Sequence, residues 1–231
     1  NIKPITFNYV SMTQYQESFT FPFLYDKEKL MNIFPEILEK HGYTQLRAAE
    51  TEKYAHVTYF LNGGDEKEFE NEHRILVPSP KVKTYDMQPE MSAIELTNKL
   101  EDAIQSNSYE AIFVNFANPD MVGHTGNLCA AIKAVETIDF CLGNIMKQLD
   151  KTNTTLFLTA DHGNLELMVD PITKNPHTSH TTNKFPFLIK SKDTSIRLTG
   201  IGKLADIAPT ILDFLDIDIP NEMDGESKLN R

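Results

Sequence analysis

The sequence predicts an α/β fold, a sheet with helices on both faces, and three observations carry that reading. Apolar residues along the chain alternate between strand-like and helix-like spacing. Two of the strand-like runs, YEAIFVNFA at 109–117 and TTLFLTA at 154–160, are almost continuously apolar, the mark of a strand covered on both faces. Each is followed at once by a polar stretch containing Asp and His, and ligand sites in open α/β sheets collect beyond the carboxyl ends of strands.

The elements follow in order. ITFNYVSM (5–12) alternates as a strand, and Pro22 in the polar-aromatic run after it argues for an extended crossing segment. A composition shift near residue 28 marks a candidate boundary. Apolar residues at 30, 33, 34, 37 and 38 have helical spacing, closed by Gly42. Pro35 suits a first turn, which starts that helix near Asn32. AHVTYFL (55–61) and HRILVPS (73–79) are predicted strands, ended by Gly63-Gly64 and by Pro78 and Pro80. Ser92 and Glu95 have capping-box spacing before a helix that turns Leu96, Leu100 and Ile104 inward. A long amphipathic helix covers 128–149, FPFLIK (185–190) is a third buried strand, and 203–215 is a last helix.

Composition narrows the function. The chain has 231 residues, 40% of them hydrophobic and 24% charged, with a formal charge of −11. That balance argues against nucleic acid or an anionic membrane as partner, and an anionic substrate would need local cations. No apolar run approaches the roughly 18–20 residues that cross a bilayer, and no signal-peptide pattern opens the chain. Cys129 and Cys141 fall on one predicted helix, too far apart to pair, which suits a reduced, cytoplasmic setting. The sequence opens on Asn1 rather than Met, and we expect a fragment of a longer protein.

Asp120 and His124 are spaced i, i+4 and point to one locus on a helical turn. Asp161 and His162 stand side by side at a strand exit, and His177 and His180 flank a Thr-Ser pair in a polar loop. Alone, each has an ordinary reading: a cap, a tight turn, a solvated loop. Three such clusters at strand ends together indicate a metal site. Carboxylate and imidazole without Cys suit Mn²⁺, Zn²⁺, Fe²⁺ or Co²⁺ better than Ca²⁺ or Mg²⁺. Two such ions can clamp the attacking and leaving oxygens of a phosphoryl transfer.

The strings TADHGN, NPDMVGHTG, HTSHTTN, AETEKYAHVTYFLNGG, PSPKVKTYD and PEMSA resemble the cofactor-independent phosphoglycerate mutases, from about residue 40 to the C-terminus. DHG with an HT.H loop is shared with the wider alkaline phosphatase superfamily; ETEKY and NPDMVGH point to the mutase branch. The resemblance implies an alkaline-phosphatase-like sheet, incomplete because an N-terminal part is absent. Residues 1–15 would end an inserted phosphotransferase domain, 16–30 would form a linker and hinge, and 31–231 would be the C-terminal part of the metal-binding phosphatase domain.

It also implies two divalent ions, Mn²⁺ first, with Mg²⁺, Co²⁺ or Zn²⁺ as alternatives. One would take Asp120, His124 and His180, the other Asp161 and His162. His177 would stand behind them or in solvent, and Lys53 would contact the substrate phosphate. The implied reaction interconverts 3-phosphoglycerate and 2-phosphoglycerate through a phosphoserine, in glycolysis and gluconeogenesis, with no requirement for 2,3-bisphosphoglycerate. The nucleophilic Ser and one ligating Asp of the family pattern are not found in this sequence. The chain is therefore expected to be inactive alone and to need the missing N-terminal portion, the intact protein being a monomer. The alternatives are another phosphatase or phosphopentomutase of that superfamily, or a non-catalytic metal-binding module.

Overall fold

The computed structural model describes residues 9–14, 18–26 and 29–230. Residues 5–8 of the first predicted strand, and parts of the proposed 1–15 and 16–30 segments, lie outside them. The chain divides between Met31 and Asn32 into two compact units.

In the first unit, β1 (Ser11–Thr13) pairs in parallel with β2 (Phe23–Tyr25), Ser11 opposite Phe23. Tyr9 packs edge-on against Phe21 with ring centroids 4.8 Å apart.

The second unit begins with α1 (Phe34–Lys40), which carries Pro35 in its first turn and is followed by Gly42 at φ +73°. Then come β3 (Gln45–Glu50), the one-turn helix α2 (Tyr54–Val57), β4 (Glu72–Val77) and α3 (Ala93–Ser106). After these run β5 (Ala111–Asn115), the short α4 (Asn118–Gly123) and the long α5 (Leu128–Lys151). The remainder is β6 (Leu156–Leu158), β7 (Leu188–Lys190), β8 (Arg197–Leu198), α6 (Ile207–Phe214) and β9 (Leu229–Asn230).

β3 is the centre of a parallel sheet ordered β4-β3-β5. One face packs Ala48, Val77 and Ile112 against Leu96, Leu100 and Ile104 of α3 and Ile145 and Leu149 of α5. The opposite face carries Ala111 and Phe113 against Phe34, Ile37 and Leu38 of α1 and Leu212 of α6. Successive strand residues alternate between the two helical layers, as the two-residue strand period requires. β6 and β7 form a separate antiparallel pair, as do β8 and β9.

Three local expectations are corrected. The predicted strand at 55–61 is instead α2 and the turns after it, and the central strand is β3, ten residues earlier. Its polar letters concealed it: Gln45, Arg47 and Glu50 read as surface, yet all six residues of the strand are buried. They are buried because they have partners. The Arg47 guanidinium lies 4.1 Å over the Phe113 ring, donates to Gln45 Oε1 at 2.6 Å and faces the Glu72 carboxylate at 3.9 Å.

The Ser92 hydroxyl does not cap α3; it donates to the Pro78 carbonyl at 2.7 Å, tying the helix start to the end of β4. The 185–190 run is not a covered strand, since Leu188 in β7 is 53% exposed.

Candidate metal centre

Two strand exits build the site. The chain leaves β5 through Phe116 and Ala117 directly into α4, whose first turn carries Pro119 and Asp120 and whose end is capped by His124. The helical turn, closed by the His124 amide on the Asp120 carbonyl at 3.1 Å, sets both side chains on one face. The chain leaves β6 at Leu158 and reaches Asp161 and His162 three and four residues later. A long loop then returns. Backbone bridges between Gly163 and Thr181, and between Val169 and Pro176, fold it back on itself and deliver His180 beside His162.

Asp120 Oδ1, His124 Nε2 and His180 Nε2 meet. Both imidazole nitrogens lie 3.0 Å from the carboxylate oxygen and 3.1 Å from each other. The His162 ring stacks on that of His180 at 3.7 Å, with its Nε2 4.0 Å from the same Asp120 oxygen. Asp161, half exposed, lies 3.5 Å from His162 Nε2. Lys53, buried, sets its ammonium 2.5 Å from Asp120 Oδ2. All the residues singled out in the sequence are thus gathered here except His177, whose Nδ1 is buried without a hydrogen-bond partner among the described residues.

The electrostatics suit a cation. Burial opposes charge on Asp120, but hydrogen bonds from Lys53 and Asn164, with the Lys53 charge beside it, outweigh that and hold its carboxyl at about 2. The carboxylate is therefore ionised across the physiological range. His124 Nδ1 lies 2.7 Å from the Thr178 carbonyl, an acceptor only, which places a ring proton on Nδ1 and turns Nε2 toward the carboxylate. Nε2 and the anionic oxygen, 3.0 Å apart, are held together by a positive centre, a proton or a divalent ion.

The spacing fits one. Ligands about 2.1 Å from a metal and about 90° apart are separated by about 3.0 Å, so the three atoms match one face of an octahedron. Two imidazoles and one carboxylate are a donor set for first-row divalent ions.

Asn164 is the residue that sequence reading passed over. Its amide donates to Asp120 Oδ1 at 2.8 Å and to the Asp120 carbonyl at 3.3 Å, fixing the carboxylate from the opposite strand exit. Its place inside TADHGN was the available signal. His56 also borders the site; burial, then the Lys53 charge, push its imidazole down, toward the neutral form.

The family model of the metalloenzyme superfamily matches residues 12–219. The chain belongs to this superfamily. The superfamily assignment covers every residue of the cluster, from Lys53 to His180. Among relatives, a 2,3-bisphosphoglycerate-independent phosphoglycerate mutase 2 from Methanosarcina barkeri is 52% identical over 96% of this chain and 42% of its own length. The corresponding mutase of Ruthia magnifica is 52% identical over 96% of this chain and 43% of its own. A crystal structure of Leishmania mexicana phosphoglycerate mutase, determined at low cobalt concentration, superposes with a TM-score of 0.87 at 30% identity. It covers 96% of this chain, which matches 44% of the Leishmania chain. This superfamily member thus spans less than half the length of the relatives it matches.

Proposed function

We infer that the chain is the metal-holding part of a cofactor-independent phosphoglycerate mutase. The observation that carries this reading is the convergence of Asp120 Oδ1, His124 Nε2 and His180 Nε2 to within about 3 Å, on two strand exits far apart in sequence. The relatives named mutases support the choice of reaction. In this reading Asp120, His124 and His180 hold one divalent ion, and Asp161 and His162 contribute to a second, Mn²⁺ being the expected metal. When bound, the ions supply positive charge that neutralises phosphoryl oxygens and lowers the pKa of an attacking hydroxyl.

The chain's own residues orient that charge. Asn164 and the α4 turn fix the Asp120 carboxylate, and the Thr178 carbonyl fixes the His124 ring. Lys53 already neutralises Asp120 Oδ2 and has hydrogens to spare for a phosphate oxygen of the substrate. The nucleophilic serine comes from polypeptide outside these residues. It takes the phosphoryl group from 3-phosphoglycerate and returns it to the other hydroxyl, giving 2-phosphoglycerate without 2,3-bisphosphoglycerate.

The pathway is glycolysis and gluconeogenesis, and the setting is the cytoplasm. No helix among the described residues is long and apolar enough to cross a membrane. Residues 16–30 serve as one hinge between an inserted domain ending near residue 15 and the metal-binding part.

The test uses the full-length protein with 3-phosphoglycerate and Mn²⁺. The expected product is 2-phosphoglycerate, and His180→Ala should lower metal content and abolish turnover. Phosphate release without 2-phosphoglycerate would contradict the mutase reading, and unchanged metal content in the variant would contradict the ligand assignment.

A further inference from the structure

The turn Asp161-His162-Gly163-Asn164 and the returning stretch His180-Thr181-Thr182-Asn183 lie antiparallel, with the Thr181 amide on the Gly163 carbonyl at 2.9 Å. An isolated bridge fixes one point of contact and not an orientation. Glu166 supplies the rest. Its Oε2 accepts from the Asn164 amide at 2.7 Å, and its Oε1 accepts from the Thr181 hydroxyl and from Asn183 Nδ2, the latter at 2.9 Å. Donors from both segments thus share one carboxylate. Room for it depends on Gly163, where a Cβ would lie 2.5 Å from Glu166 Oε1 and would also strike the Thr181 hydroxyl.

These donors stand close to residues of the metal centre. Asn164 follows His162 by two positions and Thr181 follows His180 directly. The buried Asn164 side chain donates in turn to Asp120 Oδ1 at 2.8 Å. Glu166 therefore stands behind the three stretches that bring Asp120, His162 and His180 together, while lying outside the donor group of Asp120, His124 and His180. It is exposed, so apolar packing does not explain its place. What it offers is acceptor capacity. Burial opposes its charge, but hydrogen bonds from Thr181 and Asn183 outweigh that and hold its carboxyl below the usual range. An ionised carboxylate is an acceptor only, whereas a Gln side chain would turn an amide N–H₂ toward at least one of these donors.

We propose that Glu166 is a positioning residue for the site: its carboxylate clasps the 161–164 turn to the 180–183 stretch, setting His162 against His180 and, through Asn164, the orientation of Asp120. The effect on a bound ion rests on the metal reading of the site; the clasp itself does not.

The test exchanges donor for acceptor. In Glu166→Gln an amide N–H₂ faces that of Asn183, and in Asn183→Asp two carboxylates face each other. The double variant restores a matched pair, since the Thr181 hydroxyl can accept as well as donate. Circular dichroism should stay unchanged throughout, as suits exposed side chains. In the metal-free 231-residue chain, hydrogen exchange of the Thr181 amide should speed about ten-fold in each single variant and return to within about three-fold of the parent in the double variant. Co²⁺ is the probe ion, because its visible absorption reports coordination geometry. Each single variant should bind Co²⁺ about 10–100-fold more weakly, with shifted bands, and the double variant should recover both. A residue that only stiffened the loop would change the melting temperature and leave the Co²⁺ spectrum in place. Unchanged Thr181 exchange in the single variants, Co²⁺ spectra and affinities like the parent's, or no recovery in the double variant would overturn the proposal. A parent chain that takes up no Co²⁺ while the exchange pattern holds would contradict the metal reading and support the clasp.

Discussion

Lys53 is a buried ammonium whose ion pair is with Asp120, 2.5 Å away. Removing one member of a buried pair leaves the other as an uncompensated charge, which typically costs about 3 kcal/mol. Lys53→Ala should therefore lower the melting temperature of the metal-free protein, and Mn²⁺ should restore much of the loss by taking over the neutralisation of Asp120. A variant insensitive to Mn²⁺ would argue against a cation between the three donors.

Glu50 shows the opposite sign of electrostatics. Its Oε2 accepts from Ser79 Oγ at 2.9 Å and from the Ser92 amide at 3.3 Å, while Oε1 is buried without a partner. Burial, exceeding the effect of those hydrogen bonds, pushes its carboxyl up. A folded pKa above the unfolded one favours the protonated form in the fold. That contribution is complete below the unfolded value and is lost as pH rises through the folded value. Glu50→Gln, which keeps the acceptor and cannot ionise, should gain stability relative to the parent as pH rises across that window. Parallel pH profiles in chemical denaturation would contradict this.

Among the elements, the returning loop passes close to the turn that follows α4. Gly126 has φ +71°, and a Cβ there would lie 2.9 Å from Pro176 Cβ and 3.0 Å from Thr178 Cγ2. Gly126→Ala should cost about 1–2 kcal/mol in backbone strain. It should also push the 176–180 stretch away from α4, disturbing the Thr178 carbonyl that orients His124 and the position of His180. Loss of such orienting contacts lowers metal affinity about 10–100-fold, and calorimetric titration with Mn²⁺ should read that change. Equal affinity in parent and variant would show that the loop holds His180 without this close approach.

At the scale of the whole molecule, the α/β class and the clustering of Asp120, His124, Asp161, His162 and His180 were legible in the sequence. Periodicity reports burial, and Asp and His at strand exits report chemistry. What escaped was decided by tertiary partners. β3 was hidden because the stacking of Arg47 on Phe113, and its neighbours Gln45 and Glu72, make polar letters compatible with a fully buried strand. Ser92 kept the spacing of a cap but found the Pro78 carbonyl instead. β5 looked fully covered because its residues carry no charge, yet among the described residues it is an edge strand, paired with β3 alone.

The central claim is that Asp120, His124 and His180, separated along the chain by as many as 60 residues, grip one divalent ion. Anomalous diffraction from crystals of the 231-residue chain soaked in Mn²⁺ tests it most directly. The account predicts a manganese peak about 2.0–2.3 Å from Asp120 Oδ1, His124 Nε2 and His180 Nε2 together. A clean soak with no peak at that locus, or one bound elsewhere, would contradict it.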